Sequence, residues 1–349
     1  MRHLVVEDLH KFALKEAPEP TIQCPTDVIV KVIATTICGS DAHIILGEIQ
    51  IPWGFPLGHE FVGTIHELGS EVQSLKLGDR VAASPGVWCN QCEKCLQYQY
   101  QHCEKFGIFG HGKKIGDLGG AQAEYVRVPC AENTLSLIPD GVSDAQALAV
   151  GDMLCTGWTG VERAAINPGA TLVVFGAGPV GLCTIHTARL QKVDKIIAID
   201  MIADRLDVAK TLGADHTINP TLEDVGDTVM KLTNGRGAEA IVDTAGAQSS
   251  INCWGSVAAL GAKISMTAVP SGPVEVPLAQ LQLKSVTLWT GLADPTRSRR
   301  DTLLQAIKDG VLDPSAIFTE TVQFDQIETI LREFMSRKKG LIKPLIVFS

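Results

Sequence analysis

The feature that most constrains the fold is a glycine-rich loop between an apolar strand and a helix. The run Thr171–Phe175 leads directly into the six residues GAGPVG, and a helix-compatible segment then continues to about residue 190. A second apolar run follows at Lys195–Ile199. A strand, a Gly-rich turn, a helix and a second strand make a βαβ unit, which places the two strands side by side in a parallel sheet. Further strand candidates at 240–243, 263–266 and 286–289 would extend this sheet.

The glycines of the loop predict a ligand as well as a turn. Gly176 permits the tight turn, Gly178 lets the backbone approach a pyrophosphate, and Gly181 lets the helix pack against the strand. Pro179 and Val180 begin the helix, whose N-terminus attracts phosphate groups. The loop therefore predicts a dinucleotide site. An ordinary βα turn is the alternative.

An acidic residue after the second strand bears on which dinucleotide binds. Asp200 stands 22 residues after Gly178, near the spacing of an acid that binds the adenosine ribose hydroxyls. A carboxylate there favours NAD over NADP, because it would repel the 2′-phosphate of NADP. Arg205 lies one turn into the next helix and could reach the ribose or a phosphate. The alternatives are a helix cap for Asp200 and a surface salt bridge for Arg205.

The rest of the chain shows a different pattern of apolar residues. Short β-rich runs at 27–34, 61–68, 80–84 and 123–128 are broken by Gly and Pro, which predicts a small barrel-like β domain before residue 150. Two amphipathic helices, at 299–308 and 325–337, precede a final strand at 344–348. A chain of 349 residues is long enough for two hydrophobic cores. We therefore expect an α/β protein with a β-barrel domain and a doubly wound parallel sheet.

Charge and hydropathy exclude two classes of partner. The net charge of -9 argues against a nucleic-acid partner, and the short basic runs at 297–300 and 337–339 are interpreted as solvated helix faces. No uncharged apolar run reaches about 18 residues, so no membrane span is expected. The N-terminus lacks the features of a secretory signal, which makes a cytoplasmic location the default.

Four of the ten cysteines form the most specific local motif in the chain. Cys89, Cys92, Cys95 and Cys103 lie within fifteen residues, a spacing that suits a closed tetrahedral zinc site. An iron-sulfur cluster is the rival, but its C-x2-C-x2-C pattern continues with x3-C-P, which this chain lacks. Because four protein thiolates leave no position for a substrate, we expect this zinc to be structural.

Two short strings carry metal ligands and proton-transfer groups. Residues 38–43 read CGSDAH and contain the thiol of Cys38, the hydroxyl of Ser40, the carboxyl of Asp41 and the imidazole of His43. Residues 58–60 read GHE. Each string is weak by itself, because a lone histidine is more often structural than a ligand. Together with a dinucleotide site, the two strings are consistent with one catalytic site.

At this point the sequence resembles the zinc-dependent alcohol dehydrogenases of the medium-chain dehydrogenase/reductase superfamily over essentially its whole length. The motifs that carry the resemblance occur in the family's order: CGSDAH at 38–43, GHE at 58–60, GDRV at 78–81, the four cysteines and GAGPVG at 176–181. The resemblance implies a GroES-like catalytic domain at 1–154 and 293–349 and a Rossmann domain at 155–292. It also implies two zinc ions per chain, one catalytic and one structural.

The resemblance assigns roles to individual residues of these motifs and to Asp152. Cys38 and His59 match catalytic zinc ligands, and Asp152 falls where the family has its third ligand, which is cysteine in liver-type members. Aspartate there resembles the secondary-alcohol branch and leaves the zinc more positive, because a carboxylate donates less charge than a thiolate. Ser40 matches the hydroxyl that takes the alcohol proton, and His43 matches the imidazole that passes it to solvent through the ribose.

Further roles follow from the same resemblance. Asp41 is expected to orient His59, and Glu60 resembles a glutamate that ligates zinc transiently, with a turn cap and a buried ion pair as the respective alternatives. Residues at the ends of the Rossmann strands are expected to line the cofactor site: Thr156, Thr244, Ala245, Ala268, Val269 and Leu292. Candidates for the substrate pocket, with core packing as the alternative, are Trp53, Pro85, Trp88, Met153 and Leu292.

The predicted activity is reversible hydride transfer between a primary or secondary alcohol and NAD. Polyol, threonine and formaldehyde dehydrogenases of the same superfamily are alternatives. A catalytically inactive zinc- and nucleotide-binding protein is an alternative of another class, and the presence of both relay residues with three zinc ligands argues against it. The acidic charge disfavours a zinc-finger protein. A homodimer or homotetramer is expected from the family resemblance.

Overall fold

The computed structural model describes all 349 residues, which divide into two compact units. The first unit consists of Met1–Asp152 and Pro295–Ser349, and the second of Met153–Asp294. The sequence-based boundaries at 154 and 292 lie two residues from these divisions. Each unit has its own hydrophobic core.

The strands are numbered in chain order: β1 Arg2–Asp8, β2 Lys11–Glu16, β3 Val28–Thr35, β4 Phe55–Pro56, β5 Phe61–Leu68, β6 Arg80–Ala83, β7 Gly86–Val87, β8 Gly107–Ile108, β9 Tyr125–Val128, β10 Leu135–Leu137, β11 Thr171–Phe175, β12 Lys195–Ile199, β13 His216–Ile218, β14 Ala238–Asp243, β15 Ala258–Met266, β16 Thr287–Thr290, β17 Phe318–Gln323 and β18 Lys343–Val347.

The α-helices are numbered in the same way: α1 Gly39–Ile45, α2 Glu93–Leu96, α3 Ala131–Thr134, α4 Asp144–Ala149, α5 Cys155–Arg163, α6 Pro179–Leu190, α7 Ala203–Thr211, α8 Val225–Leu232, α9 Gln248–Val257, α10 Leu278–Leu283, α11 Arg297–Lys308 and α12 Ile327–Met335. A π-helical turn, Val150–Leu154, joins α4 to α5.

The second unit is a six-stranded parallel sheet in the order β13-β12-β11-β14-β15-β16. This order, which starts at β11 and runs outward in both directions, is that of a dinucleotide-binding Rossmann fold. All five residues of β11 are buried, as expected for a central strand covered on both faces. The predicted α/β class and parallel sheet are confirmed. Strands β11 and β12 have the predicted bounds, whereas β14 and β15 begin two and five residues earlier than predicted.

The first unit is built around a seven-stranded sheet in the order β10-β6-β5-β3-β18-β17, with β9 also paired to β3. Strands β3 and β5 pair antiparallel from Val28↔Leu68 to Thr35↔Phe61. The C-terminal strand β18 pairs with β3 and so joins this sheet, whereas β1 and β2 form a separate three-stranded sheet with β4. The hairpin β1-β2 and strand β17 lay outside the sequence-based strands.

One sequence-based interpretation is wrong. The basic run at 297–300 does not form a solvated face throughout, because Arg300 is completely buried on α11. Its guanidinium donates to the hydroxyl of Ser136 and to the carbonyl of Asn133, at 3.2 and 2.8 Å. These donors satisfy acceptors inside the first unit. No helix in the structure is both long and apolar enough to cross a membrane.

Candidate active site and metal centres

The first predicted zinc ligand, Cys38, precedes helix α1. The Cys38 backbone N–H donates to Asp41 Oδ2 at 2.9 Å, which ties the start of the helix to a carboxylate one turn later. Asp41 is completely buried and also accepts a hydrogen bond from Gln122 Nε2 at 3.0 Å. The buried Asp41-Gln122 pair therefore holds the thiol of Cys38 at a defined place in the first unit. Gln122 belongs to none of the sequence motifs, so its role was not predicted.

The second ligand, His59, stands immediately before strand β5 and is only 4% exposed. Its Nδ1 lies 3.8 Å from Asp41 Oδ1, which is longer than a hydrogen bond, and its Nε2 lies 3.3 Å from Asp152 Oδ2. Asp41 therefore lies near His59, as predicted for a residue that orients the ring, but the two side chains do not form a hydrogen bond. His59 Nδ1 and Asp41 Oδ1 both lack a hydrogen-bond partner.

The third candidate ligand, Asp152, lies in the π-helical turn between α4 and α5. Such turns insert one extra residue per turn and recur at functional sites, because they redirect side chains. Gly151 presses this turn against strand β6: a Cβ on Gly151 would lie 2.2 Å from the carbonyl oxygen of Ala83. The glycine thus allows the close approach that brings Asp152 to His59.

The three side chains and Glu60 form one cluster. The ligand atoms of Cys38, His59, Glu60 and Asp152 all lie within 4.8 Å of one another. Burial alone lowers the pKa of His59, but the thiolate of Cys38 and the carboxylate of Asp152 outweigh it and raise that pKa well above its ordinary value. The pocket therefore concentrates negative charge and favours a cation. A thiolate, an imidazole and a carboxylate are the ligand types of catalytic zinc, so this donor set fits the ion.

Glu60 has a cationic partner that sequence reasoning missed. Lys343 Nζ lies 2.6 Å from Glu60 Oε1, and both side chains are almost fully buried. Glu60 Oε2 has no hydrogen-bond partner. Burial disfavours the ammonium, yet Glu60, Cys38 and Asp152 together raise the pKa of Lys343. The ion pair predicted as the alternative for Glu60 is present, with one oxygen left beside the cluster.

A second histidine lies beside the cluster. His111 is 6% exposed, and its ring meets that of His59 edge to face with 5.5 Å between centroids. Its Nδ1 contacts the carbonyl oxygen of Phe109 at 2.9 Å. Burial and the neighbouring His59 lower the pKa of His111. The sequence analysis assigned no role to His111, because it belongs to no motif.

The proton-transfer candidates Ser40 and His43 lie on helix α1. They are three residues apart, so their side chains project from the same side of the helix. His43 Nδ1 contacts the carboxylate of Glu48. Helix α1 thus carries both relay candidates and begins directly after the ligand Cys38.

The four-cysteine lobe forms the second candidate metal centre. The sulfur atoms of Cys89, Cys92, Cys95 and Cys103 lie within 4.8 Å of one another, and no disulfide is present. The Cys103–Cys89 and Cys89–Cys95 sulfur distances are 3.5 and 4.0 Å. Zn–S bonds of about 2.3 Å in a tetrahedron separate sulfurs by about 3.8 Å, so the spacing fits zinc.

The pKa values of two thiols in the lobe shift in opposite directions. Backbone N–H groups of Cys95 and Glu104 lower the pKa of Cys92 to about 6, whereas burial raises the pKa of Cys95. Trp88, a candidate for the substrate pocket, packs against Cys95 and Cys103 and is 2% exposed. Its position favours the core-packing alternative. Trp53 likewise packs against a core cluster of the first unit.

The glycine-rich loop has the geometry of a phosphate site. A Cβ on Gly181 would lie 1.8 Å from the Gly176 carbonyl oxygen, so internal packing requires that glycine. Gly178 differs, because its φ of -72° suits any residue and the nearest atom to an added Cβ is Arg205 Nη1 at 3.8 Å. Packing therefore does not explain Gly178. The backbone at Gly178 is open to a ligand at the N-terminus of α6, so the loop fits a dinucleotide.

Asp200 is anchored beside the loop. Its two oxygens accept the N–H groups of Ala177 and Ile202, at 2.7 and 2.9 Å. Arg205 Nη1 lies 3.8 Å from Asp200 Oδ2. The carboxylate is therefore held at the carboxyl end of β12, against Ala177 of the glycine loop, and the ribose contact stays a prediction.

The remaining cofactor candidates lie in the second unit. The Thr244 hydroxyl donates to the carbonyls of Phe175 and Gly176, at 3.0 and 3.1 Å, which ties the loop after β14 to the glycine loop. The buried Asp243 accepts the N–H groups of Ala245 and Gly246 and the Trp254 indole N–H, each at 2.9 Å. Ala268 and Val269 follow β15 and Leu292 follows β16, with Val269 and Leu292 exposed. Thr156 lies in the first turn of α5.

Known proteins match both units. A family model for the alcohol dehydrogenase GroES-like domain matches residues 24–140, and one for zinc-binding dehydrogenases matches residues 179–309. An alcohol dehydrogenase of Cupriavidus necator is 35% identical and covers 99% of this chain and 98% of its own length. The structure of alcohol dehydrogenase TADH from Thermus sp. ATN1 has a TM-score of 0.93 and 34% identity, with both chains covered completely.

A third relative was solved with a cofactor. An alcohol dehydrogenase of Escherichia coli CFT073 in complex with NADH has a TM-score of 0.87 and 28% identity, and covers 100% of this chain and 99% of its own. The two family models cover Cys38, His59, Glu60 and the cysteine lobe, and the full-length structural match also covers Asp152 and the whole glycine loop. Fold, donor sets and relatives agree: this chain belongs to the zinc-dependent alcohol dehydrogenases of the medium-chain dehydrogenase/reductase superfamily.

Proposed function

We propose that this enzyme oxidises small primary or secondary alcohols reversibly, with NAD as the hydride acceptor. The observation that carries the proposal is the buried donor cluster of Cys38, His59 and Asp152, with two proton-transfer side chains on the helix that begins after Cys38. We assign catalysis to residues 1–154 and 293–349 and cofactor binding to residues 155–292.

Each metal site has defined ligands in this proposal. Cys38, His59 and Asp152 hold the catalytic zinc, with Glu60 as a transient ligand, and the four-cysteine lobe holds the structural zinc. When bound there, zinc would supply Lewis-acid polarisation of a substrate oxygen, and NAD would supply the hydride acceptor. A set of three protein ligands would leave zinc able to bind a substrate oxygen, whereas the four thiolates of the cysteine lobe would not.

The chain's own side chains manage the proton. Ser40 Oγ takes the hydroxyl proton of the alcohol and loses its own, which moves outward to the imidazole of His43. His43 is 39% exposed at its side chain and delivers the proton to water. Asp41 and Gln122 keep the start of α1 in place while the proton moves.

The preference for NAD rests on Asp200. Its carboxylate is held by the backbone N–H groups of Ala177 and Ile202, so it does not turn away easily from an incoming ribose. A 2′-phosphate would meet its negative charge. The E. coli relative binds NADH, which agrees with this assignment. The cofactor contacts we propose are Gly176, Gly178, Pro179, Val180, Gly181, Asp200, Arg205, Thr156, Thr244, Ala245, Ala268, Val269 and Leu292.

A substrate panel tests the proposal. Reduction of NAD and NADP is followed in parallel with small primary and secondary alcohols, polyols, threonine and formaldehyde, and zinc is counted on the same sample. We expect two zinc ions per chain and the largest kcat/KM for a simple alcohol with NAD. Turnover confined to a polyol, threonine or formaldehyde would select one of the alternative dehydrogenases, and no turnover with any of them would select an inactive binding protein.

The proposed assembly rests on the family resemblance. We propose a homodimer or homotetramer in the cytoplasm. Sedimentation of the purified enzyme at two concentrations measures the assembly, and a monomeric mass at both would contradict it.

A further inference from the structure

Helix α1 ends in a C-terminal capping motif, in which the chain reverses direction after the last helical turn. Leu46 caps the helix, and Gly47 follows with φ +74°. The Gly47 N–H donates to the Ile44 carbonyl at 3.0 Å, and the Glu48 N–H donates to the His43 carbonyl at 2.9 Å. This pair of hydrogen bonds is a Schellman motif, which requires a left-handed residue at the position of Gly47.

The motif brings one specific side chain to His43. In a Schellman motif the residue after the left-handed one lies beside the third residue from the helix end, and these two positions usually carry apolar side chains. Here they carry Glu48 and His43, whose carboxylate and Nδ1 are in contact. Gly47 is also sterically restricted, because an added Cβ would lie 2.8 Å from Leu9 Cδ1.

We propose that Glu48 is a positioning residue for His43, an inference that rests on the function proposed above. A carboxylate accepts hydrogen bonds only, so it selects the tautomer of His43 that carries its proton on Nδ1. The lone pair of Nε2 then remains available for the proton that leaves Ser40. The side chains of the pair are 39% and 36% exposed, which places them where a proton can pass to water.

The proton step balances through the ring. A proton bonds to Nε2 while the Nδ1–H stays on Glu48, which makes the ring a cation beside a carboxylate. Loss of the Nε2 proton to water restores the starting tautomer. Without Glu48, the neutral ring populates both tautomers, and the one with its proton on Nε2 cannot accept another there.

The same chain supplies a matched control. Helix α12 ends in an equivalent motif, in which Arg337 has φ +55° and the Lys338 N–H donates to the Glu333 carbonyl at 3.0 Å. Lys338 Nζ lies 2.8 Å from Glu333 Oε2, and the side chains are 41% and 37% exposed. Motif geometry and exposure thus match those of the His43-Glu48 pair, and Lys338 Nζ has a further contact to Glu320 at 3.0 Å. A general structural role of the motif predicts the same effect at both places.

The first measurement is the tautomer itself. Glu48→Gln is nearly isosteric, but the amide can donate as well as accept, so it no longer selects one tautomer. Nitrogen-15 spectra of histidine-labelled enzyme, with His43 identified by its loss in His43→Ala, report the protonated nitrogen. We expect the Nδ1–H form in the wild type and a mixture in Glu48→Gln, with Glu333→Gln leaving the His43 signals unchanged.

The second measurement is steady-state turnover with the best alcohol of the panel. We expect Glu48→Gln to lower kcat about five- to tenfold, the size of a lost hydrogen bond of ordinary strength, while KM for alcohol and NAD changes less than about twofold. Glu333→Gln should leave kcat within about twofold of wild type. In a His43→Ala background, Glu48→Gln should have no further effect, because the two residues act through one another.

The outcomes separate this inference from the proposed function. Equal loss of kcat in Glu48→Gln and Glu333→Gln, or a further loss on top of His43→Ala, overturns the positioning role. Unchanged spectra in Glu48→Gln overturn the tautomer assignment. A wild type without alcohol turnover whose His43 tautomer still depends on Glu48 overturns the proposed function and the relay, and leaves only the tautomer selection standing.

Discussion

Lys343 Nζ contacts Glu60 Oε1 at 2.6 Å, with the two side chains 2% and 1% exposed and 283 positions apart in the chain. Breaking such a buried pair leaves one charge without a partner, whereas replacing both partners by apolar groups is far less costly. The pair therefore links the C-terminal strand β18 to the residue after His59.

From this pair we predict that Lys343→Met lowers the free energy of unfolding by about 3–5 kcal/mol. Urea unfolding at constant zinc concentration measures it. The exposed control Lys338→Met should cost no more than about 1 kcal/mol. The double variant Lys343→Met with Glu60→Leu should recover part of the loss. A double variant less stable than Lys343→Met would contradict the uncompensated-charge explanation.

Removing Asp152 should empty one metal site only. In Asp152→Ala we expect one zinc per chain in place of two and a loss of turnover greater than about 100-fold, because the metal chemistry is absent. Metal analysis after desalting gives the count. Asp152→Cys restores a zinc ligand and should recover the second ion. Asp144→Asn, which alters a partly exposed acid on α4, serves as the control. Two zinc ions in Asp152→Ala would remove this residue from the ligand set.

The cysteine lobe should behave in the opposite way. Cys95→Ser is expected to lose the structural zinc and to lower the unfolding midpoint, because a structural zinc site contributes directly to folding. The zinc at the Asp152 site should remain. Cys24→Ser removes an exposed free cysteine outside the lobe and should change neither property. A Cys95→Ser enzyme with both ions and unchanged stability would argue against the four-thiolate site.

Cofactor choice should depend on Asp200. Asp200→Ala removes the charge that opposes a 2′-phosphate, so the ratio of kcat/KM for NADP to that for NAD should rise about tenfold, or about 1.4 kcal/mol. Parallel assays with the two cofactors measure the ratio. As a control, Asp207→Ala removes an exposed charge on α7 and should leave the NADP-to-NAD ratio unchanged. An unaltered ratio in Asp200→Ala would take Asp200 out of the ribose contact.

Ser40 should affect the rate more than metal content. Ser40→Ala is expected to lower kcat by about 100-fold or more, the usual contribution of a positioned proton-transfer group, with two zinc ions retained. Ser40→Thr keeps the hydroxyl and should keep most of the activity. Full activity in Ser40→Ala would falsify the relay.

Local motifs allowed much of the fold to be predicted. The bounds of β5, β11 and β12 match the sequence-based strands, because their apolar runs are bordered by turn residues or glycine. The buried Arg300 was missed, since a basic run alone does not reveal that carbonyls such as that of Asn133 will surround it. Strand β17 was missed for a related reason: its alternating half-buried residues resemble a solvated loop.

The sequence by itself determined the features that depend on neighbours along the chain. Four cysteines within fifteen residues reach one tetrahedron through short turns, and the loop Gly176–Gly181 follows its strand directly. Only the tertiary structure decided how distant residues meet. The cluster of Cys38, His59 and Asp152 forms because antiparallel pairing and the π-helical turn at Gly151 bring three segments together. No local sequence pattern marks three further residues of the site, Lys343, Gln122 and His111. They reach it because the folded sheets bury them there, and their spacing along the chain does not reveal this.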